Sequence, residues 1–220
     1  MSRLIPFASR FDQQAAKQVL SGYGSWVEDR IANGYAAYLV TFMFDRLPAA
    51  TQAGRIAGML DAVEIVYARL IQWFASHPNR PSQRRYLPHL ICSPDLPVFK
   101  HNKMALADVQ SNDGLHVHGM LMTPPVSRFK FELVSWINDN PGRLIHGTPI
   151  TRLHIIEVDR APGYAAEYAL KASGTRIDAD TLLILPKALS ERSDKTAKGY
   201  DEAVRTVQGA SLMRSGRRPI

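Results

Sequence analysis

The chain has 220 residues, 45% of them hydrophobic, with 27 lysines and arginines against 20 aspartates and glutamates, a net charge of +7. That length and apolar fraction support one domain with a sizeable core and exclude wholesale disorder, while the lone Cys92 excludes an internal disulfide and a cysteine-based zinc site. The longest apolar stretch, Ala36 to Phe44, is too short to span a bilayer, and Pro6, Ser9, Arg10 and Asp12 interrupt the run a signal peptide needs, so a cytoplasmic protein without a membrane partner is expected.

The first elements are helical: Asp12 to Ser21 reads as a short helix and Ser25 to Ala32 as a second. Tyr35 to Phe44 is almost continuously apolar and suits a strand buried on both faces. A long helix then opens at Thr51 and closes before Pro78, with Met59, Val63, Val66, Leu70 and Trp73 along one face. His77 to Arg85 is a loop, Tyr86 to Cys92 a strand, and Ser93 to Lys103 another loop. Met104 to Gln110 and Leu115 to Met122 flank Ser111-Asn112-Asp113-Gly114, a hairpin signal. Ser127 to Ile137 is predicted helical, Ile150 to Val158 a strand, and Ala161 to Ala172 a helix with Pro162 in its first turn.

Hairpins accompanied by helices predict an α+β domain around a mostly antiparallel sheet. Residues 35–185 form that domain, 1–34 an N-terminal helical segment and 186–220 a basic tail. No Gly-x-Gly-x-x-Gly or Walker A sequence supports a nucleotide fold.

The basic balance favours a polyanion such as nucleic acid. Arg84 and Arg85 before a strand, and Lys100 and Lys103 in a loop, are the candidate DNA contacts, with solubility as the plain alternative. Trp26, Trp73 and Trp136 read as core, with stacking on a base as the alternative for an exposed one; His154 reads as core, with support of the site as its alternative; His77, His89, His101 and His146 fall in or beside loops and are expected at the surface.

Two groups of residues carry chemistry. His116 and His118 are two apart on a strand, so both imidazoles point to one side and can grip a divalent cation, although two histidines on a solvated sheet face have the same pattern. With a three-residue loop at Asn112-Asp113-Gly114, Gln110 lies opposite His116 and Asp108 opposite His118. Asp108, supported or replaced by Gln110, then completes a site suited to Mg²⁺ or Mn²⁺. The second group is Tyr164, Tyr168 and Lys171, on one face of a helix. Core tyrosines with a lysine at the rim fit the same spacing. A phenol, with a pKa near 10, is a poor nucleophile at neutral pH, but it can attack a phosphodiester that a metal ion polarises.

The His-hydrophobic-His strand followed by Y-x-x-x-Y-x-x-K resembles the HUH endonuclease superfamily, most closely its two-tyrosine rolling-circle replication initiators. Tyr38-Leu39-Val40-Thr41-Phe42 is similar to the family's first motif, His116-Val117-His118 to the second, and Tyr164, Tyr168 and Lys171 to the third. The resemblance implies a metal-dependent endonuclease that nicks single-stranded or hairpin origin DNA, keeps a 5′-phosphotyrosine link and leaves a free 3′-hydroxyl. Either tyrosine could act first; Tyr168 is similar to the only tyrosine of single-tyrosine relatives, and Lys171 would hold the scissile phosphate. No helicase motif follows, so a host helicase and polymerase are implied partners. A transposase-type strand transferase and a non-catalytic DNA-binding module on the same fold are the alternatives.

Overall fold

The computed structural model describes residues 10–45, 47–95, 115–171 and 181–187. Five strands, β1 (Ala36–Phe44), β2 (His89–Asp95), β3 (His116–Thr123), β4 (Ile150–Glu157) and β5 (Leu183–Leu185), form an antiparallel sheet in the order β4-β1-β3-β2-β5. Helices α1 (Arg10–Ala32) and α5 (Pro162–Leu170) lie on one face; α2 (Gln52–Phe74), α3 (Leu133–Asp139) and α4 (Pro141–Ile145) lie on the other. This is the α+β arrangement that the pattern predicts. Among the described residues no helix is long and apolar enough to cross a membrane.

The side-chain alternation of β1 builds both layers. Tyr38, Val40, Phe42 and Phe44 enter the larger core, where Met59, Val63, Val66, Leu70 and Phe74 of α2 meet them. Thr51 opens α2 as its N-cap, accepting a hydrogen bond from the Gly54 N–H at 3.1 Å. On the opposite face Val27, Ala166, Ala169 and Leu170 pack on Ile91, Met120 and Met122. Lys187 forms an ion pair with the buried Glu64 of α2, fastening the chain just past β5.

Several elements depart from the sequence pattern. The two short helices expected before Gly34 are one continuous α1, within which Gly24 admits α5 closely: a Cβ there would lie 3.1 Å from the Gly163 carbonyl oxygen. Strand β2 starts later and runs on through Ser93, Pro94 and Asp95, which read as loop. Among the described residues β5 pairs with β2 only as far as Cys92, so Pro94 falls outside that pairing. The helix expected over Ser127 to Ile137 starts only at Leu133. Ser127 accepts from the Phe129 N–H in a local turn, and the Glu132 carboxylate caps α3 through the Val134 and Ser135 N–H groups. Tyr86 closes a 3-10 turn (Pro81–Tyr86) that carries Arg84 and Arg85.

Candidate metal centre and the tyrosine helix

Strand β3 is held on both sides, by β1 and by β2, and this register determines what stands beside the histidines. His118 lies between Thr41 and Ser93, and His116 between Met43 and Asp95. Residues opposite one another share a face, so Thr41, Ser93 and Asp95 join the imidazoles on the side of α1 and α5. Asp108, Gln110, Lys100, Lys103 and the Met104 to Gln110 strand lie outside the described residues. The positions directly opposite the two histidines belong to β1 and β2 rather than to a hairpin partner, and the carboxylate standing there is Asp95.

One ligand atom from each of Asp95, His116 and His118 lies within 4.8 Å of the others. His116 Nε2 is 3.4 Å from Asp95 Oδ2, and the two imidazole centroids are 4.6 Å apart. His118 Nδ1 is hydrogen-bonded to Thr41 Oγ1 at 2.9 Å. With the proton on Nδ1 donating to Thr41, the Nε2 lone pair is directed for coordination, the orienting role that outer partners play in metal sites. Burial is the largest of the influences that lower the His118 pKa to about 4; the neighbouring His116 and Lys171 act the same way, against Asp95. The imidazole is therefore neutral at neutral pH, as a metal ligand must be. Two imidazoles and one carboxylate fit a divalent cation with open positions, and this donor set serves redox iron as well as Mn²⁺ or Mg²⁺. The neighbouring groups must distinguish them.

Those neighbours come from α5, which packs over β3. Ala166, Ala169 and Leu170 are its buried side, so Tyr164 and Tyr168, 72% and 48% exposed, are not core residues. The packing alternative for the tyrosines does not hold. Lys171, at the end of α5, places Nζ 3.9 Å from the Tyr168 ring centroid, and its charge also reaches His118. A phenol, an ammonium group and the imidazole pair thus occupy one neighbourhood. Arg84 and Arg85 are exposed, at the far end of β2 from Asp95. Arg84 Nη2 donates to the carbonyls of Pro186 and Lys187, and the Arg85 guanidinium lies 4.8 Å from the Tyr86 ring centroid.

Two residues were missed by sequence reasoning. Asp95 sits in a Pro-flanked stretch that reads as loop, and only the β2–β3 register brings it to His116. Thr41 falls within the apolar strand motif, where nothing distinguishes it as a partner for His118. His154, expected in the core, is exposed on β4, on the α1 and α5 side of the sheet in the row of Thr41 and His118. His89, expected at the surface, is half-buried at the start of β2, where burial, then Arg30 and Arg84, lower its pKa to about 4.

Comparison with protein-family models, curated proteins and solved structures finds no match for this chain.

Both depressed histidines set a pH dependence. Their folded pKa lies below the ordinary value of 6.5, so between about pH 6.5 and pH 4 the unfolded chain binds protons that the native one does not. Stability is lost as pH falls through that window and is fully present above it. The melting temperature of metal-free protein is expected to be lower at about pH 5 than at about pH 7.5, and the difference to narrow in His89→Gln. Equal melting temperatures at the two pH values would show that neither imidazole is held neutral by the fold.

Proposed function

We propose that the protein is a metal-dependent endonuclease that cleaves single-stranded DNA at an origin through a 5′-phosphotyrosine intermediate and can rejoin the strand. The observation that carries this reading is the placement of an exposed Tyr168 and Lys171 on the helix that packs over the Asp95, His116 and His118 group. Redox iron chemistry has no use for an exposed phenol beside an ammonium group; phosphoryl transfer has a use for both.

In this reading Asp95, His116 and His118 hold Mn²⁺ or Mg²⁺, which supplies Lewis-acid polarisation of the scissile phosphate. Thr41 fixes the His118 ring. The phenol of Tyr168 or Tyr164 attacks phosphorus; the P–O3′ bond breaks, the tyrosine retains the 5′-phosphate, and the 3′-oxygen leaves as a hydroxyl. Lys171, with its Nζ 3.9 Å from the Tyr168 ring centroid, offers its positive charge to the phosphate. The bond energy is kept in the phosphotyrosine ester, so attack by a 3′-hydroxyl reseals a strand without ATP. The second tyrosine allows a second transfer before the first link is released. A host helicase and polymerase would open and copy the duplex, and the +7 charge suits a DNA partner.

Mn²⁺ and a single-stranded DNA pool are expected to yield fragments whose 3′ ends a polymerase extends directly. His116→Ala/His118→Ala protein should give at least a hundredfold fewer, on the scale of losing a polarising metal. Salt-dependent binding without cleavage under any divalent cation would instead support the non-catalytic DNA-binding module.

A further inference from the structure

The opposite end of the same sheet face holds a second cluster that the proposed chemistry does not use. His89, the first residue of β2, lies with its ring centroid 5.7 Å from that of Trp26 on α1 and 5.7 Å from that of Tyr35. The Arg30 guanidinium sits against both rings, 5.6 Å from the Trp26 centroid and 5.7 Å from that of Tyr35. Its Nε is buried and has no hydrogen-bond partner among the described residues. Arg84 approaches from the sheet edge, fixed by Nη2 donating to the Pro186 and Lys187 carbonyls at 3.0 and 3.1 Å, and its charge and that of Arg30 both reach His89. Among the described residues neither arginine forms an ion pair with a carboxylate.

Two cations whose charges both reach one imidazole, neither neutralised by a carboxylate among the described residues, make a positive site that an anion completes. A guanidinium binds phosphate through several N–H groups at once. The flanking Trp26 and Tyr35 rings are half-buried, and their exposed parts add surfaces against which a base can pack. We propose that Arg30 and Arg84, with Trp26, Tyr35 and His89 around them, hold a backbone phosphate of the same single strand that is cut at the metal centre. The proposal rests on the nuclease reading, and it adds a strand anchor remote from the scissile bond. His89 and Asp95 begin and end β2, so the anchor stands roughly 20 Å from the metal ligands, and different nucleotides of one strand occupy the two places.

Binding of labelled oligothymidine, measured by fluorescence anisotropy in EDTA across a salt series, tests this without any chemistry. Arg30→Gln and Arg84→Gln are each expected to weaken binding about tenfold at low salt and to lower the slope of log K against log salt by about 0.7. Arg30→Lys should restore part of the slope. A purely structural role for either arginine would lower the melting temperature and leave the slope of the folded protein unchanged. Unchanged slopes in both glutamine variants overturn the anchor and leave the nuclease reading standing. Absence of strand binding by the wild-type protein overturns the nuclease reading itself. Arg30-dependent stabilisation by thymidine monophosphate, without strand binding, overturns the strand as the source of the phosphate in favour of a free nucleotide.

Discussion

His118→Ala and Asp95→Ala are each expected to abolish the stabilisation that Mn²⁺ gives the wild-type protein. A cation that binds only the native state stabilises it by about 2.7 kcal/mol at a concentration of a hundred times Kd. For a chain of this size that is a rise of roughly 5–10 °C in melting temperature. Removing one of three ligands leaves a weak site, so the rise should vanish at the same Mn²⁺ concentration. Thr41→Val tests the orienting hydrogen bond separately: the His118 ring keeps its place in β3 but loses the oxygen 2.9 Å from Nδ1. Its affinity should fall about tenfold, the smaller end of what outer partners contribute. Full Mn²⁺ stabilisation in His118→Ala would show that the imidazole pair is not the metal site.

Gly119→Ala is expected to destabilise the fold by about 3 kcal/mol, at the upper end for overpacking by one methyl group. A Cβ at Gly119 would lie 2.5 Å from the Cys92 Cβ and 2.6 Å from the Ile91 carbonyl oxygen. The obstacle is backbone and the first side-chain carbon, so no flexible side chain can swing away, and β2 and β3 must separate locally. His118 precedes Gly119, and the β2–β3 register is what brings Asp95 to His116. The variant should therefore lose Mn²⁺ stabilisation along with stability, whereas a cavity mutation on α2, such as Val63→Ala, should cost stability alone. Urea unfolding with and without Mn²⁺ checks both effects. Wild-type stability in Gly119→Ala would contradict the tight β2–β3 approach.

The parts of this molecule that were legible in its sequence are those governed by local periodicity. The four- and three-residue spacing of Met59, Val63, Val66 and Leu70 marks the buried face of α2, and the two-residue spacing of His116 and His118 puts them on one side of β3. Tyr164, Tyr168 and Lys171 share a helix face for the same kind of reason, but whether that face is core or surface depends on which side of α5 meets the sheet. The third ligand was beyond such reasoning. Asp95 and His116 are brought together by strand pairing across an intervening stretch whose length says nothing about register, and Pro94 beside Asp95 reads as a loop signal. The division of α1 into two short helices failed for a related reason: glycine inside a helix has the same appearance whether it ends the helix or admits a neighbour, and at Gly24 the neighbour is α5. The capping of α3 by Glu132 is likewise settled by side-chain hydrogen bonds that periodicity does not encode.

The most direct test of the central claim is to incubate the protein with Mn²⁺ and a labelled random pool of single-stranded DNA, isolate SDS-resistant complexes, and identify the modified peptide by mass spectrometry. The account predicts a nucleotide 5′-phosphate esterified to Tyr168 or Tyr164, formed only when the metal is present and absent when Asp95 or His118 is replaced by alanine. An adduct on any other residue, or one that forms equally well in EDTA, would contradict it.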